Sequence, residues 1–245
     1  MLIGINGSSG FLGNKLVDRL SKDNDIVRLD RSGYIPQDID VCFDLAAYGN
    51  LWGQNKIDKI YKANVYRVAK EISNYKGRII FISTSSVTLP QQTFYSLSKK
   101  ATENMLLLRG NSVIVRPYSI YGPQEYEGHL IPKLIDSCLN GTKMSFVPDP
   151  IHDFVYIDDF IDALILLKDS DYSGVIEVGT GEGHTNEQVK EIVEKITSKK
   201  ANLVYVDKLR NYDNRDWICQ SNKIVSFGWQ PQTTLFKGIG NYERS

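Results

Sequence analysis

Cysteine, histidine and unbalanced charge are all scarce in this chain, and each scarcity removes a class of function. The three cysteines, Cys42, Cys138 and Cys219, lie far apart and form no C-x-x-C pair, which argues against a disulfide framework or a zinc site. His129 and His184 have no metal-ligand partners at useful spacing, so no metal is expected. Lysine plus arginine equals aspartate plus glutamate, 29 each, so no net field draws the chain to nucleic acid or an anionic membrane. No apolar run approaches the roughly 18 residues of a membrane span. A first strand starting at Met1 leaves no room for a signal peptide. Together with the cysteine usage this predicts a reducing, cytoplasmic setting. Internal repeats and low-complexity segments are absent.

Apolar residues make up 42% of the 245, enough for a real core. Met1 to Asn6 reads as a buried strand, Gly7-Ser8-Ser9-Gly10-Phe11-Leu12-Gly13 as a glycine turn, and the run through Leu20 as an amphipathic helix. Strands follow at 26–29, at 41–47 and at 78–82, with helices over 57–72 and 94–108 and a further strand at 113–116. Such alternation predicts an α/β fold, a Rossmann-like doubly wound parallel sheet. From Pro117 the pattern loosens. Helices are expected over 130–139, 158–167 and 186–196, strands at 144–146, 175–178 and 203–206, and two short helices in the tail. This divides the chain into a nucleotide-binding domain, 1–118, and a smaller mixed α/β substrate-binding region, 119–245, some segments of which return to the first domain.

Gly7, Gly10 and Gly13 let the backbone turn tightly and approach a pyrophosphate, whose charge is then favoured at a helix N-terminus. Asp30 ends the second strand, where a dinucleotide fold places the acid that bonds the ribose hydroxyls. Thr84 and Ser85 follow the strand at 78–82. Tyr95 and Lys99, four apart, share a helix face. A free phenol has a pKa of about 10, and a neighbouring ammonium lowers it. Tyr95 can then exchange a proton with a sugar hydroxyl or ketone while hydride moves to or from nicotinamide, with Thr84 holding the reacting oxygen.

With these residues in view, the chain resembles the extended branch of the short-chain dehydrogenase/reductase superfamily, the nucleotide-sugar epimerase/dehydratase group. Asp44-Leu45-Ala46-Ala47 matches its strand motif beside the cofactor, and Asn64 the helix asparagine that steadies the active site. Arg116-Pro117-Tyr118-Ser119-Ile120-Tyr121-Gly122-Pro123 resembles its R-P-x-N-x-Y-G-P segment and Asp153 to Asp159 its D-F-V-Y-V-D-D segment. Val178-Gly179-Thr180-Gly181 and Gly228-Trp229-Gln230-Pro231 are also typical of it. The resemblance implies NAD as cofactor, held by Gly7, Ser9, Gly10, Phe11, Leu12, Gly13, Asp30, Arg31, Leu45, Ala46, Ala47, Asn64, Tyr95, Lys99 and Pro117. NADP is the alternative, because Arg31 and Ser32 can accept a 2′-phosphate if Asp30 turns away. It further implies Thr84, Tyr95 and Lys99 as the catalytic set. A nucleoside diphosphate sugar is the implied substrate, met by Thr84, Ser85, Ser119, His152 and Arg215, the arginine on the diphosphate. Helices near 57–75 and 94–108 imply a homodimer.

Several residues depart from the family pattern. His152 stands where the family commonly has arginine, Ser119 replaces the usual asparagine, and the segments 84–95 and 30–44 are short. Trp52 and Trp217 read as packing residues rather than pocket walls. The expected function is an NAD-dependent epimerase, acting at C4 through a 4-keto intermediate, or an NAD(P)H-dependent reductase of a 4-keto nucleotide sugar. A 4,6-dehydratase ranks third, because Ser85-Ser86 lacks the Asp-Glu pair such an enzyme uses. A nucleotide-sensing module without turnover is the remaining class.

Overall fold

The structure is a computed structural model that describes residues 1–51, 53–208, 216–221 and 223–244. The chain divides into two compact units. The first comprises Met1–Pro117 and Ile161–Glu177, the second Tyr118–Phe160 and Val178–Ser245.

The first unit is built on β1 (Leu2–Asn6), α1 (Phe11–Leu20), β2 (Asp25–Leu29) and β3 (Val41–Asp44). α2 (Ile57–Tyr61), a π-helical turn (Lys62–Tyr66) and α3 (Arg67–Asn74) lead to β4 (Arg78–Ile82), α4 (Phe94–Arg109) and β5 (Ser112–Pro117). Strand order is β2-β1-β3-β4-β5, all pairings parallel. β9 (Gly174–Val178), named by its place in the chain, takes the edge beyond β5. The doubly wound parallel sheet expected from the alternation is present. Order reverses between β1 and β3, and in such sheets ligands gather beyond the strand C-termini at that point. The connection 30–40 carries no helix or strand, so no strand lies outside β2. Ile35, Ile39, Cys42, Val68, Tyr75, Ile79, Phe81, Leu106 and Ile114 form a buried core under α3 and α4, each large apolar side chain contributing about 1.5–3 kcal/mol.

The single helix expected over 57–72 is corrected to two helices joined by the π turn. Arg67 Nε donates to the Ala63 carbonyl at 3.0 Å and Thr102 Oγ1 to the Asn64 carbonyl at 2.6 Å. These side chains engage carbonyls of the turn, which widens there. The strand expected over 41–47 stops at Asp44, and Leu45 N then bonds the Asn6 carbonyl at 3.0 Å. A Thr93–Ser96 capping box starts α4, so Tyr95 lies in its first turn.

In the second unit, β6 (Ser119–Tyr121), α5 (Leu130–Asn140), β7 (Met144–Phe146) and β8 (Ile151–Tyr156) are followed by α6 (Ile157–Lys168), which crosses into the first unit. β10 (Gly183–Thr185), α7 (Asn186–Thr197), β11 (Leu203–Tyr205), β12 (Asp216–Trp217) and α8 (Leu235–Gly240) complete it. β8 is the centre of its sheet, antiparallel to β10 and parallel to β12 and β6. β6, β10 and β12 are short, and β8 mixes polar and aromatic residues with Ile151 and Val155, so periodicity did not predict them. α5 packs on α7, and Leu134 and Cys138 of the one and Val189 and Val193 of the other are buried. No described helix is long and apolar enough to cross a membrane.

Asp153, fully buried on β8, anchors this unit. Its carboxylate accepts from Thr180 N (2.8 Å), Thr180 Oγ1 (2.7 Å), Gly181 N (2.9 Å) and Cys219 N (3.2 Å). Asp153→Ala strands these donors in the interior, and an expected loss of about 3 kcal/mol should appear as a lower urea midpoint with unchanged slope.

Candidate active site

The glycine turn connects β1 to α1. Gly7 has φ +78°, and a Cβ built on it would lie 2.9 Å from Ala46 N. A Cβ at Gly13 would lie 2.1 Å from the Gly7 carbonyl oxygen and 2.7 Å from Ser8 Cα. Only glycine at 13 lets the helix seat this close to the strand. Gly10 caps α1, and the first-turn amides of Phe11, Leu12 and Gly13 have no intrahelical acceptor. This cradle fits a pyrophosphate held by backbone N–H groups at the positive end of a helix. Ser9 and Gly10 are exposed at its mouth.

Asp30 lies one residue beyond β2, whose last pair is Leu29 with Asn6, so it borders the same turn. Exposed, its carboxylate accepts from Ser32 N at 2.8 Å, and the bonds from Ser32 lower its pKa. Arg31 is also exposed. These two fit the polar rim that a ribose would meet. Leu45, Ala46 and Ala47 continue from β3, with the Ala46 backbone against Gly7.

Asn64, on the π turn, accepts from Tyr48 N (2.9 Å) and donates to the Tyr48 carbonyl (2.8 Å) and Ser98 Oγ (2.9 Å). Ser98 Oγ donates in turn to the Tyr95 carbonyl at 2.7 Å. Asn64 therefore fastens the loop after β3 to the helix that carries Tyr95 and Lys99. Nearby, Gly49 has φ +106°, and a Cβ there would lie 3.4 Å from Tyr95 Cβ.

Lys99 is buried, with Nζ donating to the Ile82 carbonyl at 2.6 Å and lying 4.3 Å from the centre of the Phe81 ring. Burial lowers its pKa to about 8, against the pull of Asp44 and Glu103 toward the charged form. Tyr95 shows the opposite of the lowering expected from a neighbouring ammonium. Burial pushes its hydroxyl up, while the Lys99 ammonium is engaged by the Ile82 carbonyl. Thr84 follows β4 and caps a 3₁₀ turn, its Oγ1 accepting from Ser86 N (3.2 Å) and lying 2.9 Å from Ser86 Oγ. Ser85 is buried beside it. One turn beyond Lys99, Glu103 bonds Ser83 Oγ (2.7 Å) and takes two bonds from Arg116 (2.8 and 2.7 Å). Burial alone would raise the Glu103 pKa, but Arg116, Ser83 and Lys100 bring it down. This pair locks α4 to the ends of β4 and β5, and hence to Thr84 and Pro117.

In the second unit, Ser119 pairs with Phe154 and His152 with both His184 and Trp217. Paired residues share a sheet face, and alternation puts Phe154 on that of His152. Ser119, His152, His184 and Trp217 therefore lie on one face. The His152 ring is 5.6 Å from that of Trp217 and 5.9 Å from that of Phe154. Arg215 and Trp52 lie outside the described residues. Sequence reasoning missed Asn6, Arg67, Glu71, Glu103 and the His184 partnership. An Arg-x-x-x-Glu pair on the apolar side of a helix was the one available signal for Arg67 and Glu71.

Residues 3–179 match the model of the NAD dependent epimerase/dehydratase family. The chain belongs to this family. It is 28% identical over 143 residues to a probable GDP-L-fucose synthase 1 of Oryza sativa subsp. japonica, covering 53% of this chain and 43% of that one. The chain thus spans less than half the length of that relative. Among solved structures, MoeE5 in complex with UDP-glucuronic acid and NAD superimposes with TM-score 0.88 at 20% identity, covering 100% of this chain and 99% of the other. The UDP-glucose 4-epimerase of Thermotoga maritima with UDP-glucose gives 0.85 at 22% identity, with the same coverage. The glycine turn excludes any side chain at position 13 and fits the pyrophosphate of a dinucleotide such as the family's NAD. Gly13→Ala should weaken NAD binding about tenfold or more, about 1.4 kcal/mol per decade, as read by calorimetry; undiminished affinity would contradict the cradle.

Proposed function

We propose that this protein is an NAD-dependent epimerase of a nucleoside diphosphate sugar, acting at C4 through a transient 4-keto intermediate. The observation that carries the reading is that one unit holds both the glycine cradle at the end of β1 and, beyond the end of β4, two strands along in the same sheet, Thr84 with Tyr95 and Lys99 on the helix that follows. Nicotinamide bound there would supply reversible hydride exchange with the sugar carbon. Tyr95 Oη takes the proton of the C4 hydroxyl and later returns it. Thr84 Oγ1 holds that oxygen by a hydrogen bond. Lys99, which burial brings to a pKa of about 8, carries its charge at neutral pH and favours the phenolate when Tyr95 gives up its proton. Asp30 receives the ribose hydroxyls and favours NAD over NADP. Ser119 and His152 share one face of the second unit's sheet, and a charged imidazole at 152 would assist with the diphosphate. The likeness to a UDP-glucose 4-epimerase makes UDP-sugars the first substrates to test, and GDP-sugars follow.

A second reading, a reductase of a 4-keto nucleotide sugar, is favoured by one observation. Burial holds Tyr95 protonated, the state that donates to a ketone oxygen. Tyr95→Phe should cut turnover by about 100-fold or more while NAD still binds; unchanged turnover would remove Tyr95 from the mechanism. Denaturing the undialysed protein separates the two readings. Near-stoichiometric NAD supports the epimerase, since a cofactor recycled in place need not leave, whereas an empty protein that exchanges NAD(P)H supports the reductase.

We also propose a homodimer. Ile57 and Tyr61 on α2, with Phe94, Leu97 and Leu108 in one stripe on α4, are exposed, Leu108 at 91%. α2 packs beside α4, and both helices carry exposed apolar side chains of the kind an interface covers. Sedimentation should show a dimer at micromolar concentration and a monomer for Leu108→Glu. A wild-type monomer would refute the assignment.

A further inference from the structure

Behind the glycine turn lies a cluster of buried polar side chains that none of the proposed catalytic steps uses. Asn6 ends β1, Asp44 ends β3, and Arg67 and Glu71 are one turn apart on α3. All four are almost entirely buried. Asn6 Nδ2 donates to Glu71 Oε1 at 2.7 Å, and Arg67 Nη1 donates to the same oxygen. Arg67 Nη2 lies 3.0 and 3.1 Å from the two Asp44 oxygens and donates to the Ala46 carbonyl at 3.2 Å. Its Nε donates to the Ala63 carbonyl at 3.0 Å. One guanidinium therefore joins α3, the π turn and the segment after β3, and through Glu71 and Asn6 the end of β1.

The junction lies against the phosphate cradle. Ala46 N is 2.9 Å from where a Cβ on Gly7 would stand, and Leu45 N bonds the Asn6 carbonyl. A shift of the Ala46 backbone is thus transmitted to Gly7. We propose that Arg67 is a positioning residue for the dinucleotide, holding Ala46 against the glycine turn through Asp44 and Glu71. The inference rests on the reading of that turn as a dinucleotide site.

The charge balance of the cluster supplies a readout that simple structural support would not move. Two carboxylates share one guanidinium. Burial, and the nearby Asp44 charge, raise Glu71 to about 8 in spite of Arg67 and Asn6. Burial thus disfavours the charged form of Glu71, and the one guanidinium is shared between it and Asp44. Above about 8 a second negative charge appears behind the site meant for a pyrophosphate. The groups facing Glu71 are Arg67 on its own helix, Asp44 and the Cys42 thiol on β3, and Asn6 on β1. Lys99 on α4 feels Asp44 and Arg67 and also loses charge near 8, so wild-type affinity alone does not isolate Glu71.

The test is the dissociation constant for NAD, by calorimetry on the full chain, from pH 6.5 to 9.5. Arg67→Lys keeps the cation but not the planar fork that reaches two carboxylates and a carbonyl. It should bind NAD about tenfold or more weakly while its circular dichroism stays native. Glu71→Gln imitates the uncharged acid, and its affinity should fall less than wild type's as pH rises through 8, the difference being the Glu71 contribution. A folded Arg67→Lys with wild-type affinity overturns the inference. So does a Glu71→Gln curve superimposable on wild type, which decides the matter if Arg67→Lys does not fold. Wild-type protein that binds no dinucleotide overturns the cofactor reading, and the inference with it.

Discussion

A carbon atom added at position 13 would stand 2.1 Å from the carbonyl oxygen of Gly7, and the arrangement of the first unit depends on that closeness. Because the residue is glycine, α1 begins directly against the end of β1. Its unpaired first-turn amides then face the point where the strand order reverses. Gly7 turns with φ +78°, and a side chain there would stand 2.9 Å from Ala46 N. A site for negative charge follows from backbone packing alone, before any charged side chain is considered.

Around that point, the strand ends are held by side chains from helices. Lys99 binds the Ile82 carbonyl, Arg67 the Ala46 carbonyl, and Glu103 with Arg116 fastens β4 and β5 to α4. Strand ends next to a site have carbonyls and amides that no ladder completes, and leaving them buried without partners costs about 1–3 kcal/mol each. Polar helix residues satisfy these groups and also fix the spacing among Thr84, Tyr95 and Lys99. Asp153 does the same in the second unit, closing β8 onto the Thr180 turn and Cys219. The cost is charge in low dielectric, seen in the lowered pKa of Lys99 and the raised pKa of Glu71.

The helix at 57–72 marks where local pattern and tertiary context part. Ile57, Ile60, Tyr61, Val65, Val68 and Ile72 keep helical spacing, which is why a single helix was expected. Nothing in that spacing signals the π turn, because its causes, Thr102 and the Arg67 side chain, act through a carbonyl-seeking geometry that only folding creates. The turn brings Asn64 onto Tyr48 and Ser98 while Arg67 reaches Asp44. A change of helical phase thus serves two parts of the candidate site.

Taken by itself, the sequence determined the parallel α/β sheet, the glycine turn with Asp30 after the next strand, the pairing of Tyr95 with Lys99 on one helix, and the family. These are local signals, set by spacing along the chain and by which residues tolerate a tight turn. Tertiary structure alone decided the strand order beyond β2, the short strands of the second unit and the direction in which Lys99 spends its charge. It also decided that Tyr95 is raised rather than lowered, and that Asn6, Asp44, Arg67 and Glu71 meet. The reason is physical: desolvation and hydrogen bonds between residues as far apart as Asn6 and Glu71 exist only once the strands and helices have packed.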